Sequence, residues 1–310
     1  MMTTLLLTHP ACLEHLVPHG HPERPDRLRA VESALEAEKF QTLIRERAPL
    51  APLETIALCH PMDYIVALRD ASPNEGLIHI DADTSMSPGT FEAALRAAGG
   101  GILAVDEVMT TKVANAFVAT RPPGHHAETA KPMGFCLFDN AGVAARHAQK
   151  QYGVDNVAIV DFDVHHGNGS QEIFWEDKTV MYCSTHQMPL FPGTGAVGES
   201  GDHNTVVNAP LRPGDGGKAF REAFESRILP RLADFKPQLL IISAGFDAHM
   251  RDPLANINLT EDDFAWVTQK LMEVADRCAD GRVVSLLEGG YDLQALGNSV
   301  AAHVTALMHG

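Results

Sequence analysis

The run I-V-D-F-D-V-H-H-G-N-G at residues 159–169 decides how the rest of the chain is read. An apolar stretch ends in Asp161, Asp163 and His165, acidic or imidazole groups at alternate positions. Residues two apart in a strand point to one face, so the spacing gathers two carboxylates and an imidazole at a strand end. Gly167 and Gly169 then let the backbone turn away. Such a cluster is costly in an ordinary core unless positive charge sits among the carboxylates, and a metal ion is the simplest candidate. The alternative is that Asp161 and Asp163 cap the next helix while His165 packs.

Working outward, apolar runs of strand length recur at 114–119, 157–160, 179–183, 205–209, 238–243 and 282–287, beside residues 3–7 and a short strand near Ile78. Helical patterns fall between most of them, at 139–152, 168–175, 214–235 and 260–277, with a last one at about 293–308. Earlier helices are expected from Asp26 to about Phe40, over 61–70, and from Ser87-Pro88-Gly89 to about Thr111. Gly99, Gly100 and Gly101 inside that long helix lower its propensity and imply close packing against another element. Thr260 with Asp263 three residues on is a near capping box. The alternation predicts an α/β fold: one domain over residues 1–310, with an open, mostly parallel eight-stranded sheet covered by helices on both faces.

In such sheets, sites gather outside the carboxyl ends of the strands. Four chemically loaded segments obey this rule: RPPGHHA after 114–119, DFDVHHG after 157–160, SAGFDAH after 238–243 and EGGYD after 282–287. Asp163, His165 and Asp247 offer two carboxylates and an imidazole, which leaves a coordination position open. The set suits Zn²⁺ and leaves Fe²⁺ or Mn²⁺ open. In the tandem His125-His126, a neutral imidazole beside metal-acidified water is a natural general base. Asp161 could orient one imidazole and Asn168 the other. The Tyr291 phenol could donate to an oxyanion, or simply anchor the final helix. Phe135 and Phe191 could wall an apolar slot or cover the sheet edge.

Bulk properties narrow the class. A formal charge of −16 over 310 residues argues against nucleic acid as a direct partner and is compatible with cationic substrates. No run approaches a membrane span or a signal-peptide core. Five widely spaced cysteines without a Cys-x-x-Cys pair read as free thiols in a reducing cytoplasm. The GTGAVG run at 193–198 fits a dinucleotide fingerprint, but no helical pattern follows it.

Together these segments resemble the histone deacetylase superfamily. HPERPDR, RPPGHHA, DFDVHHGNG, FPGTG, SAGFDAH and EGGY occur in family order over nearly the whole chain. The form HHGNG, with Asn168 where class I members carry aspartate, is similar to class II members and the bacterial histone deacetylase-like amidohydrolases. The resemblance implies an arginase/deacetylase-like fold and zinc-dependent removal of acetyl or other short acyl groups. It implies Asp163, His165 and Asp247 as ligands of one Zn²⁺, with Fe²⁺ possible, and His126 as general base and then acid, with His125 as its electrostatic partner. Asp161 would orient His125, Asn168 would contact His126, and Tyr291 would polarise the scissile carbonyl. Gly134, through its carbonyl, Phe135, Phe191 and Leu254 would form the substrate tunnel, and Arg27 would belong to an acetate-release channel. Structural K⁺ is implied at Asp161, Asp163, His165 and Ser184, and a second ion at Phe174, Asp177 and Val180.

Arginases share the fold but bind two metals through further carboxylates. The matching positions here are Gly167 and His249, so a mononuclear site is implied. Acetylpolyamine-selective relatives carry an acidic gatekeeper after the ligand loop, where this chain has Leu254. The implied substrate is therefore an acyl-lysine peptide or protein, or a related acylated small amine, with neither nucleic acid nor membrane as partner. The alternatives are an acetylpolyamine amidohydrolase, a binding module that holds acyl-lysine without turnover, and a ureohydrolase.

Overall fold

The computed structural model describes residues 3–309. Its strands are β1 (Thr4–Thr8), β2 (Ile44–Arg47), β3 (Ile78–His79), β4 (Ser85–Met86), β5 (Asn115–Val118), β6 (Val157–Asp161), β7 (Val180–Gln187), β8 (Val206–Leu211), β9 (Leu239–Ala244) and β10 (Val283–Leu287). Eight of them form one sheet in the order β2-β1-β5-β10-β9-β6-β7-β8, with every neighbouring pair parallel. β5, β6, β9 and β10 are buried along their whole length, which is why they read as mostly apolar runs.

Alternate strand residues feed two cores. Ala158 and Val160 join the core under the helices Asp26–Leu35, Glu261–Cys278 and Leu293–His309. Val157 and Ile159 join the opposite core, under Thr90–Met109 and Asn140–Tyr152. The triple glycine of Thr90–Met109 lets its neighbours approach that helix closely. A Cβ at Gly99 would lie 2.0 Å from the Pro49 carbonyl oxygen, and one at Gly100 would lie 2.7 Å from Val118. The Thr260–Asp263 capping box is present in full.

Three expectations need correction. The strand near Ile78 pairs antiparallel with β4 in a separate two-stranded ribbon. The eighth strand of the main sheet is instead β2, whose sequence IRER is exposed at every position. An edge strand carries charge to block further pairing, and that removes the apolar signature. The helix expected over 214–235 is broken: Gly217–Ala223 passes through a π-helical turn at Phe224–Ile228 before Leu229–Phe235. Pro230 has no N–H to donate into the helix ladder, and the wider turn accommodates it. The helix beginning at Asp26 stops at Leu35, and a separate 3₁₀ turn covers Glu38–Phe40.

The sheet order explains where the chemistry collects. β5, β10, β9 and β6 are four consecutive neighbours, so the loops that follow them converge. Among the described residues, no helix is long and apolar enough to cross a membrane.

Candidate active site

β6 ends at Asp161, so Asp163 and His165 stand in the loop beyond it rather than on the strand itself. A relay of side-chain acceptors replaces the ladder there. Asp161 Oδ1 accepts the Asp163 N–H at 3.0 Å, and Asp163 Oδ1 accepts the His165 N–H at 2.9 Å. Asp247 arrives from the loop after β9 and accepts the Val164 N–H at 2.8 Å. Its other oxygen lies 3.0 Å from His165 Nδ1, which is also 3.2 Å from Asp163 Oδ1. Donor atoms of Asp163, His165 and Asp247 thus lie within 4.8 Å of one another, all three residues buried. Gly289 donates its N–H to Asp163 Oδ2 at 2.8 Å.

The chemistry of this set fits a divalent cation. Two buried carboxylates face one imidazole, and burial together with the charge of Asp163 pushes Asp247 up to about 7. Burial opposes protonation of His165, but its bonds to Asp163 and Asp247 outweigh that and push it up to about 10. Positive charge is favoured between the two carboxylates, a bound cation can supply it in place of a proton on His165, and three protein ligands leave a position open for water or substrate. Among the described residues it is the one cluster of three such donors.

The tandem histidines hang from the loop after β5. His125 Nδ1 lies 2.9 Å from Asp161 Oδ2, which also accepts the Tyr182 hydroxyl at 2.9 Å. Burial opposes charge on His125, but Asp161, Asp163 and Glu288 together raise it well above the ordinary imidazole value. His126 stacks at 4.0 Å between ring centroids and behaves oppositely. Burial, then the neighbouring His125 and His165, hold it well below the ordinary value. Its tautomer follows from the network. Asn168 Nδ2 donates to Glu128 Oε1 at 2.8 Å, so Asn168 Oδ1 must accept from His126 Nδ1 at 2.8 Å. That leaves the lone pair on His126 Nε2. The His125 backbone is pinned at both ends. Its N–H meets Glu288 Oε2 at 3.2 Å, and its carbonyl accepts from Gly169 and Ser170.

His126 and His165 open onto a cavity of about 260 Å³ together with Tyr291, Gly134, Phe135, Phe191 and Leu254. Gly134 and Phe135 both have positive φ, at 56° and 71°, and a Cβ at Gly134 would lie 2.4 Å from His126 Cδ2. Phe135 meets Tyr291 edge-on at 6.1 Å, and Phe191 meets His126 edge-on at 5.1 Å. Burial and the charge of Asp247 raise the Tyr291 hydroxyl well above its ordinary value, so it remains a donor. Arg27, fully buried, packs 5.0 Å from the Tyr291 ring centroid and ion-pairs with Glu23 at 3.0 Å.

The residues expected around K⁺ are placed as follows. Ser184 lies opposite Asp161 in the β6–β7 ladder, and its hydroxyl is 2.9 Å from His186 Nδ1. Asp177 lies between Phe174 and Val180. Its N–H donates to the Phe174 carbonyl at 3.1 Å, and its carboxylate takes Arg146 at 2.5 Å.

Reading residue by residue missed Tyr182, Glu128, Glu288, Asp252, Asp83 and Leu190. Tyr182 sits inside the buried strand VMYCSTHQ, where an aromatic reads as packing. Glu288 directly precedes Gly289-Gly290, and its place at the end of β10 was the one available signal.

Residues 21–307 match the histone deacetylase domain. The chain belongs to the histone deacetylase superfamily. An uncharacterised protein of Synechocystis sp. is 41% identical over 302 residues, covering 96% of each chain. The histone deacetylase-like amidohydrolase of Pseudomonas aeruginosa is 38% identical over 277 residues, covering 88% of this chain and 73% of its own. The crystal structure of the HDA15 HD domain superposes with a TM-score of 0.94 at 36% identity, covering 99% of this chain and 88% of that one. The eight-stranded parallel sheet is therefore the deacetylase fold, and the family's chemistry is hydrolysis of acylated amines.

Of the two positions matched by resemblance to arginase carboxylates, Gly167 has no room for a side chain and His249 is turned toward Glu261. A Cβ on Gly167 would lie 2.5 Å from both Asp161 Oδ2 and the Tyr182 hydroxyl, and His249 Nε2 faces Glu261 at 3.6 Å.

Proposed function

We propose that the protein is a zinc-dependent amidohydrolase that removes acetyl or other short acyl groups from lysine side chains or related amines. The observation that carries this reading is the convergence on one narrow apolar slot of the Asp163–His165–Asp247 donor set, the free Nε2 of His126 and the Tyr291 phenol. Asp163, His165 and Asp247 would hold the ion, which when bound polarises an acyl carbonyl and acidifies water near neutral pH. His126 Nε2 takes the proton of the attacking water, while Asn168 keeps Nδ1 as the donor side. His125, held charged by Asp161, stabilises developing negative charge nearby. Tyr291 donates its hydroxyl hydrogen bond to the tetrahedral oxyanion. As the C–N bond breaks, protonated His126 returns its proton to the amine nitrogen, giving a carboxylate and a free amine. Gly134, Phe135, Phe191 and Leu254 guide the acyl chain, and Arg27 lies behind Tyr291 on the side where acetate would leave. Structural K⁺ near Ser184 and Asp177 belongs to the same reading. Five free cysteines suit a reducing compartment, and we place the protein in the cytoplasm.

One observation favours a second reading. Asp83 lines the slot and offers a carboxylate to a distal ammonium, as an acetylated polyamine would carry. Leu254 in the gatekeeper position favours acyl-lysine. Parallel kcat/KM values of zinc-reconstituted protein on acyl-lysine peptides and N-acetylated spermidine separate the two, and the expected preference is for the peptide. Protein that retains zinc yet hydrolyses no acyl-amine would overturn the enzyme reading in favour of a binding module.

A further inference from the structure

We propose that Asp252 is a positioning residue that clamps the backbone of Tyr291 and of Leu254, so that one buried carboxylate aligns the oxyanion donor with the slot wall. The proposal rests on the deacetylase reading above for the role of Tyr291.

The argument begins with the backbone before Tyr291. Gly289 and Gly290 lead into it, and Gly290 has a φ of 125°, a conformation that leaves the chain little intrinsic preference. Something outside the loop must fix the plane of the Gly290–Tyr291 peptide, because that plane sets the direction in which the tyrosine side chain leaves the backbone. Both polar ends of this peptide are held. The Gly290 carbonyl accepts from Arg27 Nε at 2.6 Å, and the Tyr291 N–H donates to Asp252 Oδ2 at 2.7 Å. The two groups point in opposite directions from a trans peptide, so Arg27 and Asp252 grip it from opposite sides.

The second oxygen of Asp252 does different work. Asp252 Oδ1 accepts the Leu254 N–H at 3.0 Å, which turns Leu254 into the slot wall. Asp252 itself is 8% exposed, and its own N–H is tied to the His249 carbonyl at 2.9 Å. An outer tie joins the same two loops, from Arg251 to Asp292 at 3.3 Å, but it is exposed and ion pairs of that kind contribute little. A backbone bond already joins the roots of the two loops, from the Phe246 N–H to the Gly289 carbonyl at 2.9 Å, and the clamp is a buried side-chain link that carries this coupling out to Tyr291 and Leu254.

Because both oxygens accept, the geometry requires a carboxylate. Asparagine supplies one acceptor and one donor, so Asp252→Asn leaves either Tyr291 or Leu254 with its N–H against an NH₂ group. We expect Asp252→Asn to retain zinc and to lose kcat by about 10- to 100-fold on acetyl-lysine peptide, the scale of a small misplacement of a reacting group. In a Tyr291→Phe background the same substitution should cost less than about threefold, since residues acting through one group are not additive. A loss of full size in that background would overturn the proposal.

An activity-independent arm is amide hydrogen exchange of the zinc-loaded protein. In the wild type, the Tyr291 and Leu254 amides should be protected, and in Asp252→Asn at least one should exchange faster by about tenfold or more. Rapid exchange of both amides in the wild type would refute the clamp even if the variant did not fold. A wild type without turnover but with both amides protected would sink the enzyme reading and leave the clamp standing.

Discussion

Gly289→Ala tests the metal-site geometry most directly. Gly289 does not have a positive φ, so an alanine there adds no backbone strain, only a methyl group. That methyl carbon would lie 2.2 Å from Asp247 Oδ2 and 2.6 Å from Asp163 Oδ2. Ordinary contact begins near 3.4 Å, so the Asp247 oxygen must retreat by roughly 1 Å. Metal–ligand distances tolerate only about 0.2 Å. Asp163 and Asp247 are 1% and 0% exposed among packed neighbours, so neither has free volume to retreat into. Crowding of this kind costs about 1–3 kcal/mol, which at about 1.4 kcal/mol per tenfold corresponds to a roughly 5- to 150-fold loss of zinc affinity where the ligands must move to relieve it. The assay is zinc retained per chain against a graded chelator, read with thermal unfolding of the loaded and stripped protein. Gly153→Ala is the control. Gly153 has a φ of 64° and open space around its Cβ, so alanine there strains the backbone far from the site. It should lower the unfolding midpoint and leave the chelator curve unchanged. A Gly289→Ala protein that holds zinc as the wild type does would refute the assignment of Asp163 and Asp247 as the ion's carboxylates.

Three further outcomes are expected. Tyr291→Phe should keep zinc and lose about 10²–10³ in kcat, the scale of one oxyanion donor, and unchanged turnover on acetyl-lysine peptide would remove that role. Tyr182→Phe strips a donor from the buried Asp161 carboxylate and an acceptor from the Gly167 N–H, so stability measured by urea unfolding should fall by about 1–3 kcal/mol. The third concerns pH. Burial pushes His303 down to about 3, between Thr268 and Ser285. The unfolded chain takes up that proton near pH 6.5 whereas the folded protein does not, so stability present above pH 6.5 is lost as the pH falls from there towards 3. Between pH 6.5 and 5 the loss from this group is about 2 kcal/mol, and His303→Gln should flatten the urea stability–pH curve by that amount.

The parts of the fold that were legible in the sequence are those whose burial writes itself into composition. β6, β9 and β10 are buried on both faces and therefore appear as near-continuous apolar runs. β2 was invisible because its four exposed residues, IRER, satisfy the needs of an edge and none of a core. The reactive loops were legible because each follows a strand. Nothing in one sequence says that β5, β10, β9 and β6 lie side by side, since that order comes from crossovers between elements distant in the chain. The supporting residues were hidden for a related reason. Tyr182, Glu128, Glu288 and Asp252 each act on a partner at least 21 residues away, so no local spacing betrays them.

The glycines change meaning most. Gly167 reads from sequence as a turn residue, and Gly245 and Gly289 stand inside the SAGFDAH and EGGYD segments with no role of their own. In the structure they are clearances. A Cβ on Gly245 would lie 2.1 Å from Asp163 Oδ2, one on Gly289 2.2 Å from Asp247 Oδ2, and one on Gly167 2.5 Å from Asp161 Oδ2. Each position lacks a side chain because a carboxylate from another part of the site already occupies that volume. Gly167 carries the functional consequence. The Tyr182 hydroxyl bridges its N–H and Asp161 Oδ2, at 3.0 and 2.9 Å, and fills the space that a further carboxylate would need. Restoring an aspartate at Gly167 alone would therefore break the Asp161–His125 couple before it could bind a second metal, and a change of chemistry at this site would have to begin by removing Tyr182.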